Sequence, residues 1–135
     1  MLKLIIGVKG TGKTKALISM VNEAVAGSKG AVICIEKGEK LRYDVKYQAR
    51  LINTDEYFVD DAQSLFGFVA GIFASNHDVT DLFIDSALKI CQNDAEAFDK
   101  FLDEMSALVE KLNINVVMTS SLPAENASET VKKFI

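Results

Sequence analysis

Near its start the chain places a lysine and a threonine directly after closely spaced glycines, in the stretch Gly7-Val8-Lys9-Gly10-Thr11-Gly12-Lys13-Thr14. Glycines let the backbone turn so that successive N–H groups point inward, and a neighbouring ammonium group attracts anions. A hydroxyl at the last position supplies an oxygen ligand of the kind that Mg²⁺ prefers. These residue types at this spacing predict a cradle for the phosphate groups of a nucleoside triphosphate.

Each position of this stretch has an expected role. Lys13 would reach the β- and γ-phosphates and stabilise their charge, which makes it a candidate catalytic residue, and Thr14 would hold Mg²⁺. The loop therefore predicts a nucleoside triphosphate and Mg²⁺ as cofactors. The residues expected to contact the nucleotide are Gly7, Lys9, Gly10, Thr11, Gly12, Lys13, Thr14 and Lys15.

The elements on either side of the loop arrive in the order that such a cradle needs. The apolar run Leu2–Ile6 predicts a strand before the loop. After the loop, apolar residues recur at helical spacing until Gly27, which predicts a helix that ends there. The helix would add its unpaired N–H groups and the positive end of its dipole to the same anion site.

The rest of the chain alternates between strand and helix patterns. Short apolar segments predict strands, and two longer stretches carry apolar residues on one helical face, the second of them capped by Asn93 or Asp94. Strands separated by helices favour a parallel sheet covered on both faces. We therefore predict one α/β domain over residues 1–135, a three-layer sandwich with a mostly parallel five-stranded sheet. The further strands are 31–35, 50–53, 82–84 and 114–118, and the helices are 61–75 and 94–112.

A magnesium site beside bound phosphates usually needs a carboxylate at the end of a neighbouring strand. Asp85 ends the segment Asp81-Leu82-Phe83-Ile84-Asp85, and ligands of open α/β folds bind at the carboxyl ends of strands. Asp85 is therefore the predicted metal ligand and a candidate catalytic residue. Asp60 and Asp61 form a rival carboxylate pair, but they precede a predicted helix and are more naturally its cap.

With these two motifs the chain resembles the P-loop NTPase superfamily, with Gly7–Thr14 as its Walker A motif and Leu82–Asp85 as its Walker B motif. With five strands, two of them between the motifs, the chain looks like the RecA-like, or additional-strand, division of ATPases, which implies ATP with Mg²⁺ as the cofactors. The resemblance implies that the last strand inserts between the two motif strands. It also implies a polar residue near the γ-phosphate at the end of that strand, for which Thr119 and Ser120 are the candidates, with Thr119 named as the candidate catalytic residue.

The sequence departs from parts of this superfamily. Many additional-strand ATPases carry a water-activating glutamate after the Walker B aspartate, whereas this chain has Ser86, which implies slow or partner-activated hydrolysis. It lacks the Asn-Lys-x-Asp motif of switch GTPases, and Lys9 is one residue out of register for the signature lysine of the deviant Walker A ATPases. Two alternatives stay open: a small-molecule kinase, and a nucleotide-responsive interaction module with little hydrolysis.

Composition bounds the environment and the partners. The net charge of -4 argues against a strongly basic nucleic-acid surface, although a local basic patch stays possible, so nucleic acid is not an indicated partner. No apolar run approaches the length of a membrane span, and the chain leads directly into a core strand, so we expect a cytoplasmic protein without a membrane partner. Cys34 and Cys91 are expected to be buried free thiols, and His77 is assigned no role.

Two further segments are candidates for contacts with a partner. Lys37–Arg50 is the most charged stretch and is either a solvated segment or a surface that contacts an anion or a protein, with Arg42 and Arg50 the only arginines. The predicted helix 61–75 has Phe68 outside its main apolar face. Either another layer covers Phe68 or it marks a self-association surface, which would make the protein a homo-oligomer.

Overall fold

A computed structural model describes all 135 residues of the chain. Helices separate most of the strands along the chain, although β3 follows β2 without a helix between them, and 3-10 turns form at Thr54–Tyr57 and Ala124–Asn126. The strands are β1 (Leu2–Gly7), β2 (Ala31–Glu36), β3 (Arg50–Asn53), β4 (Val79–Ile84) and β5 (Asn115–Ser121), and the helices are α1 (Lys13–Gly27), α2 (Ala62–Ser75), α3 (Ala87–Ile90), α4 (Ala95–Leu112) and α5 (Glu129–Lys132).

The five strands form one sheet in the order β1-β5-β4-β2-β3, and every pair of neighbouring strands is parallel. The predicted α/β class with a five-stranded sheet is confirmed, and the sheet is entirely parallel. The last strand, β5, lies between β1 and β4, the strands that lead into the two motifs, as the resemblance led us to expect. This order brings the carboxyl ends of β1, β4 and β5 side by side.

Helices cover both faces of the sheet because the strand residues alternate between two apolar clusters. On β2, Ile33 and Ile35 face the larger cluster, which α2 and α4 complete. Val32 and Cys34 face the smaller cluster, which α1 completes together with the segment between β2 and β3. The strands are therefore apolar on both faces, as their continuous apolar runs predict.

Element boundaries differ from the predicted ones where tertiary pairing extends an element. Strand β3 has the predicted bounds, whereas β5 continues beyond Met118 to Ser121 because its pairing with β1 continues to Gly7. Thr119 and Ser120 therefore lie within the strand, not after it. Helices α3 and α5 were not predicted, since four residues are too few to show helical periodicity.

Several smaller predictions are also decided. Asp61 caps α2 and Asp94 caps α4 through bonds from backbone N–H groups. The Phe68 ring is partly buried and lies 5.7 Å from the ring of Tyr57, so the 3-10 turn after β3 covers it. Both cysteines are buried and free. None of the helices is long and apolar enough to cross a membrane.

Candidate functional site

The loop between β1 and α1 turns at two glycines. Gly10 and Gly12 have φ angles of 89° and 85°, in the left-handed region where a side chain is disfavoured. The carbonyl of Val8 accepts two hydrogen bonds of 2.8 Å, one from the Thr11 hydroxyl and one from the Lys13 ammonium group. The loop is thus closed on itself, and the Lys13 side chain lies over it.

Helix α1 begins at this loop, and its first turn is positively charged and has no side-chain cap. This turn has no acidic residue, and it carries Lys13 and Lys15. The positive dipole end of a helix repels such charges and attracts anions. Helices α2 and α4 are capped by aspartates instead. The start of α1 therefore leaves both N–H groups and ammonium groups for an anion.

The carboxylate of Asp85 lies at the end of β4 and connects the two motifs. The Thr14 hydroxyl lies 3.0 Å from Asp85 Oδ1 and 3.3 Å from Oδ2, and the Thr119 hydroxyl donates to Oδ1 across 2.7 Å. The Thr119 oxygen in turn accepts the N–H of Ser86 at 2.8 Å. Predicted residues from β1–α1, β4 and β5 are thereby brought together in one network.

The neighbouring and rival residues lie elsewhere. Ser120 faces the opposite side of the sheet from Thr119, where its hydroxyl accepts the N–H of Leu88 at 3.2 Å. Thr119 is therefore the candidate that reaches Asp85. Asp61 is engaged as the cap of α2, and the Asp60 carbonyl accepts a bond from Gln92, so this rival pair does not line the cleft.

An open cleft of about 490 Å³ lies above this network, at the carboxyl ends of the strands. Five lysines line it, and Asp85 is the one carboxylate among the lining residues. None of the five lysines takes part in an ion pair, so the cleft attracts anions. The lining residues are Lys9, Gly10, Gly12, Lys13, Thr14, Lys15, Lys40, Leu41, Asp85, Ser86, Lys89, Asn93, Thr119 and Ser121.

Most of the predicted site residues line the cleft, and two lysines that were not predicted line it as well. Gly7 and Thr11 do not line the cleft: the Gly7 carbonyl accepts the N–H of Leu122, and Thr11 is bonded within the loop. The other residues predicted to contact the nucleotide all line it, as do Asp85 and Thr119. Sequence reasoning missed Lys40 and Lys89, because no motif marks them and only the fold brings them to the cleft. The charge of the segment that holds Lys40 was the one available signal.

Glu36 was also missed. It ends β2, is only 3% exposed, and its two carboxylate oxygens accept the N–H groups of Lys40 and Leu41 at 3.0 and 3.1 Å. Burial raises the pKa of this carboxyl, and the two N–H groups lower it while the charge of Asp85 raises it further. Glu36 therefore fixes the backbone that carries Lys40, and it does not line the cleft.

The two arginines lie outside the cleft. Arg42 borders a separate depression beside Glu36, and Arg50 begins the edge strand β3.

No protein-family model matches the sequence, and no curated protein matches it either. The residues that line the cleft are therefore what indicates its chemistry.

The donor set of the cleft fits a polyphosphate with a hard cation. No group of three or more His, Cys, Asp or Glu side chains is arranged to hold a metal ion. Mg²⁺ does not need such a group, because it commonly binds one or two protein oxygens together with substrate phosphates and water. The Asp85 carboxylate and the Thr14 hydroxyl are oxygen donors of this kind, and the surrounding lysines match the charge of phosphates.

Proposed function

We propose that this protein is a P-loop nucleoside-triphosphatase of the additional-strand type, which binds ATP with Mg²⁺ and hydrolyses it slowly or with the help of a partner. The observation that carries the proposal is the contact between Thr14 and Asp85, 3.0 Å apart, at the base of a cleft lined by five lysines. Two motifs recognised separately in the sequence meet there, with the strand order that the resemblance implies.

The residues divide into three roles. The loop N–H groups, the start of α1 and Lys13 would bind the phosphates, with Lys13 stabilising the charge that develops during phosphoryl transfer. Thr14 and Asp85 would hold Mg²⁺, which supplies charge neutralisation and orientation of the phosphates when bound. Thr119 would position the Asp85 carboxylate through its hydrogen bond to Oδ1.

Slow turnover follows from the carboxylates around the cleft. Asp85 accepts bonds from two hydroxyl groups, and the Glu36 carboxylate is engaged by two backbone N–H groups. No other acidic residue lines the cleft that could activate a water molecule. The same observation favours one second candidate, a protein that binds ATP as a signal and scarcely hydrolyses it.

A phosphate-release assay tests the proposal and separates the candidates. Wild-type protein, K13A and the control K111A are each mixed with ATP and Mg²⁺, with and without small-molecule acceptors. Lys111 lies on the last turn of α4, away from the cleft. We expect slow release by wild type and K111A and none by K13A. If wild type binds ATP but releases no phosphate, the signalling role is favoured. If K13A releases phosphate as fast as wild type, the proposed site is wrong. Transfer of the phosphoryl group to an acceptor would indicate a kinase.

A further inference from the structure

The segment between β2 and β3 has no strand or helix from residue 37 to 49, yet it is anchored in the core. Leu41, Val45 and Ala49 are only 3%, 8% and 5% exposed and belong to the apolar cluster that α1 completes. Because every fourth side chain is buried, the residues between them point outward. The segment is therefore a fixed platform on the α1 side of the sheet.

Hydrogen bonds fasten the backbone of the same segment. The Asn22 side chain on α1 donates to the carbonyl of Asp44 at 3.0 Å and accepts the N–H of Lys46 at 2.9 Å. At the other end, the Glu36 carboxylate accepts the N–H groups of Lys40 and Leu41. The backbone that carries the exposed side chains is thus held in place before any partner binds, which lowers the entropy cost of binding.

Two aromatic rings project from the platform. Tyr43 is 85% exposed and Tyr47 is 90% exposed, so neither ring packs against the protein core. The Arg42 guanidinium lies 4.9 Å from the centre of the Tyr43 ring and donates to its hydroxyl at 2.9 Å. Flat aromatic and guanidinium groups at a fixed surface can each stack on another planar group.

The charge around these rings is positive, in contrast to the chain as a whole. Residues 37–50 hold five basic and two acidic side chains, although the whole chain has a net charge of -4. Ion pairs engage Lys37 with Asp55 and Arg42 with Glu39. The basic side chains of this segment that remain outside ion pairs are Lys40, Lys46 and Arg50.

We propose that the segment 37–50 binds single-stranded nucleic acid, with Tyr43 and Tyr47 stacking on bases and the basic side chains contacting phosphates. A ring that is almost fully exposed can stack on an unpaired base, whereas the bases of a duplex are already stacked on one another. The positive charge of this segment favours a polyanion at this surface. The proposal does not depend on the proposed nucleotide chemistry, since the platform carries it alone.

The platform also borders the candidate site. Lys40 and Leu41 line the cleft, and the Glu36 carboxylate holds the backbone N–H groups of both residues. A single strand of nucleic acid bound along the platform would therefore lie beside the wall of the cleft. Any coupling between the two sites would pass through this short connection.

Fluorescence anisotropy with the full chain tests the proposal. The probe is a labelled oligothymidine of about 20 nucleotides, longer than the about 4–16 nucleotides that one single-strand site commonly covers. We expect saturable binding that weakens with salt, with a log–log slope of about −2 if three cations contact phosphates. A duplex of equal length should bind more weakly. No binding at protein concentrations up to about 100 µM at low salt would overturn the proposal.

Paired variants separate stacking from charge. Y43A and Y47A should each weaken binding about fivefold or more, the loss expected for one stacked base. The control F58A removes an aromatic ring that is 88% exposed outside the segment and should bind as wild type does. The double variant K46A/R50A should reduce the salt slope, whereas K100A/K111A on α4, at the opposite face of the sheet, should not.

Three results would contradict the proposal even if the probe bound. These are equal affinity for duplex and single strand, unchanged affinity in Y43A/Y47A, and an equal loss in F58A. Thermal unfolding of each variant establishes that it is folded. Light scattering measures the oligomeric state of wild type and Y43A/Y47A. If the double variant converted a dimer into a monomer, the platform would be an interface between copies of this chain, and the proposal would be wrong.

Discussion

Thr14 and Asp85 lie 71 positions apart in the sequence, yet the Thr14 hydroxyl donates to both carboxylate oxygens of Asp85, at 3.0 and 3.3 Å. Thr14 lies on the first turn of α1, after the glycine loop, and Asp85 directly follows β4. They meet because only one strand, β5, lies between β1 and β4 in the sheet. An oxygen pair so placed beside a lysine-lined loop accounts for the proposed metal and phosphate chemistry together.

The first prediction concerns the charge of Asp85. D85N should lose most of the Mg²⁺ dependence of ATP binding, while metal-free binding changes little, because the lost charge acts on the cation. The control D60N alters the rival carboxylate outside the cleft. Calorimetric titrations with and without Mg²⁺ provide the comparison. Wild-type metal dependence in D85N, with a loss in D60N, would move the metal site to the rival pair.

The hydroxyl groups of Thr119 and Ser120 should have separable effects. T119V removes the partner of Asp85 Oδ1 and of the Ser86 N–H, so we expect a stability loss of about 1–3 kcal/mol and weaker Mg²⁺-dependent binding. S120A removes only the partner of the Leu88 N–H, so it should lower stability without changing nucleotide binding. Urea unfolding and calorimetry measure the two quantities. An equal effect of both variants on binding would refute a special role for Thr119.

Gly12, one of the two left-handed glycines of the loop, should respond to substitution in the opposite direction from a glycine inside a helix. G12A places a Cβ at a φ of 85° and should destabilise the fold by about 1–2 kcal/mol and weaken phosphate binding. G67A lies inside α2 with open space around its Cβ, so it should stabilise the protein by about 1 kcal/mol. Denaturant unfolding of both variants checks the opposite signs. A stable G12A with wild-type affinity would show that the loop does not need this conformation.

Both cysteines should be unreactive in the folded protein. Burial, assisted by the charges of Glu36 and Asp85, raises the pKa of Cys34 to about 12, and burial likewise raises that of Cys91 to about 12. At pH 8 a thiol reagent should therefore modify the native protein far more slowly than the urea-unfolded protein. Rapid modification of the folded chain would contradict the burial.

The same pKa values determine the direction of a pH effect on stability. Because the folded pKa of Cys34 lies above the ordinary thiol value of 9.0, folding favours the neutral thiol. The resulting contribution is complete below about pH 9 and is lost as the pH rises toward 12. Wild-type protein should lose stability relative to C34A across that range, as measured by urea unfolding. A constant difference between the two proteins would exclude the effect.

Sequence patterns were sufficient for the sheet and the loop but not for the walls of the cleft. Strand and helix periodicity depend on neighbours in the chain, so β3 and the cap at Asp61 could be predicted from local residues. Lys40 and Lys89 reach the cleft because β2 and β4, which precede them in the chain, pair side by side in the sheet, and no local pattern encodes that pairing. The choice of Thr119 over Ser120 likewise needed the extended pairing of β5 with β1, which decides which hydroxyl faces Asp85.

The most direct test of the central claim is a calorimetric titration of the wild-type protein with ATP, in the presence and absence of Mg²⁺, with GTP and the diphosphates for comparison. The proposed site predicts saturable binding of one ATP per chain that Mg²⁺ strengthens and that D85N no longer couples to the metal. Absence of binding by folded protein to any of these nucleotides, at millimolar ligand, would contradict the account of the lysine-lined cleft.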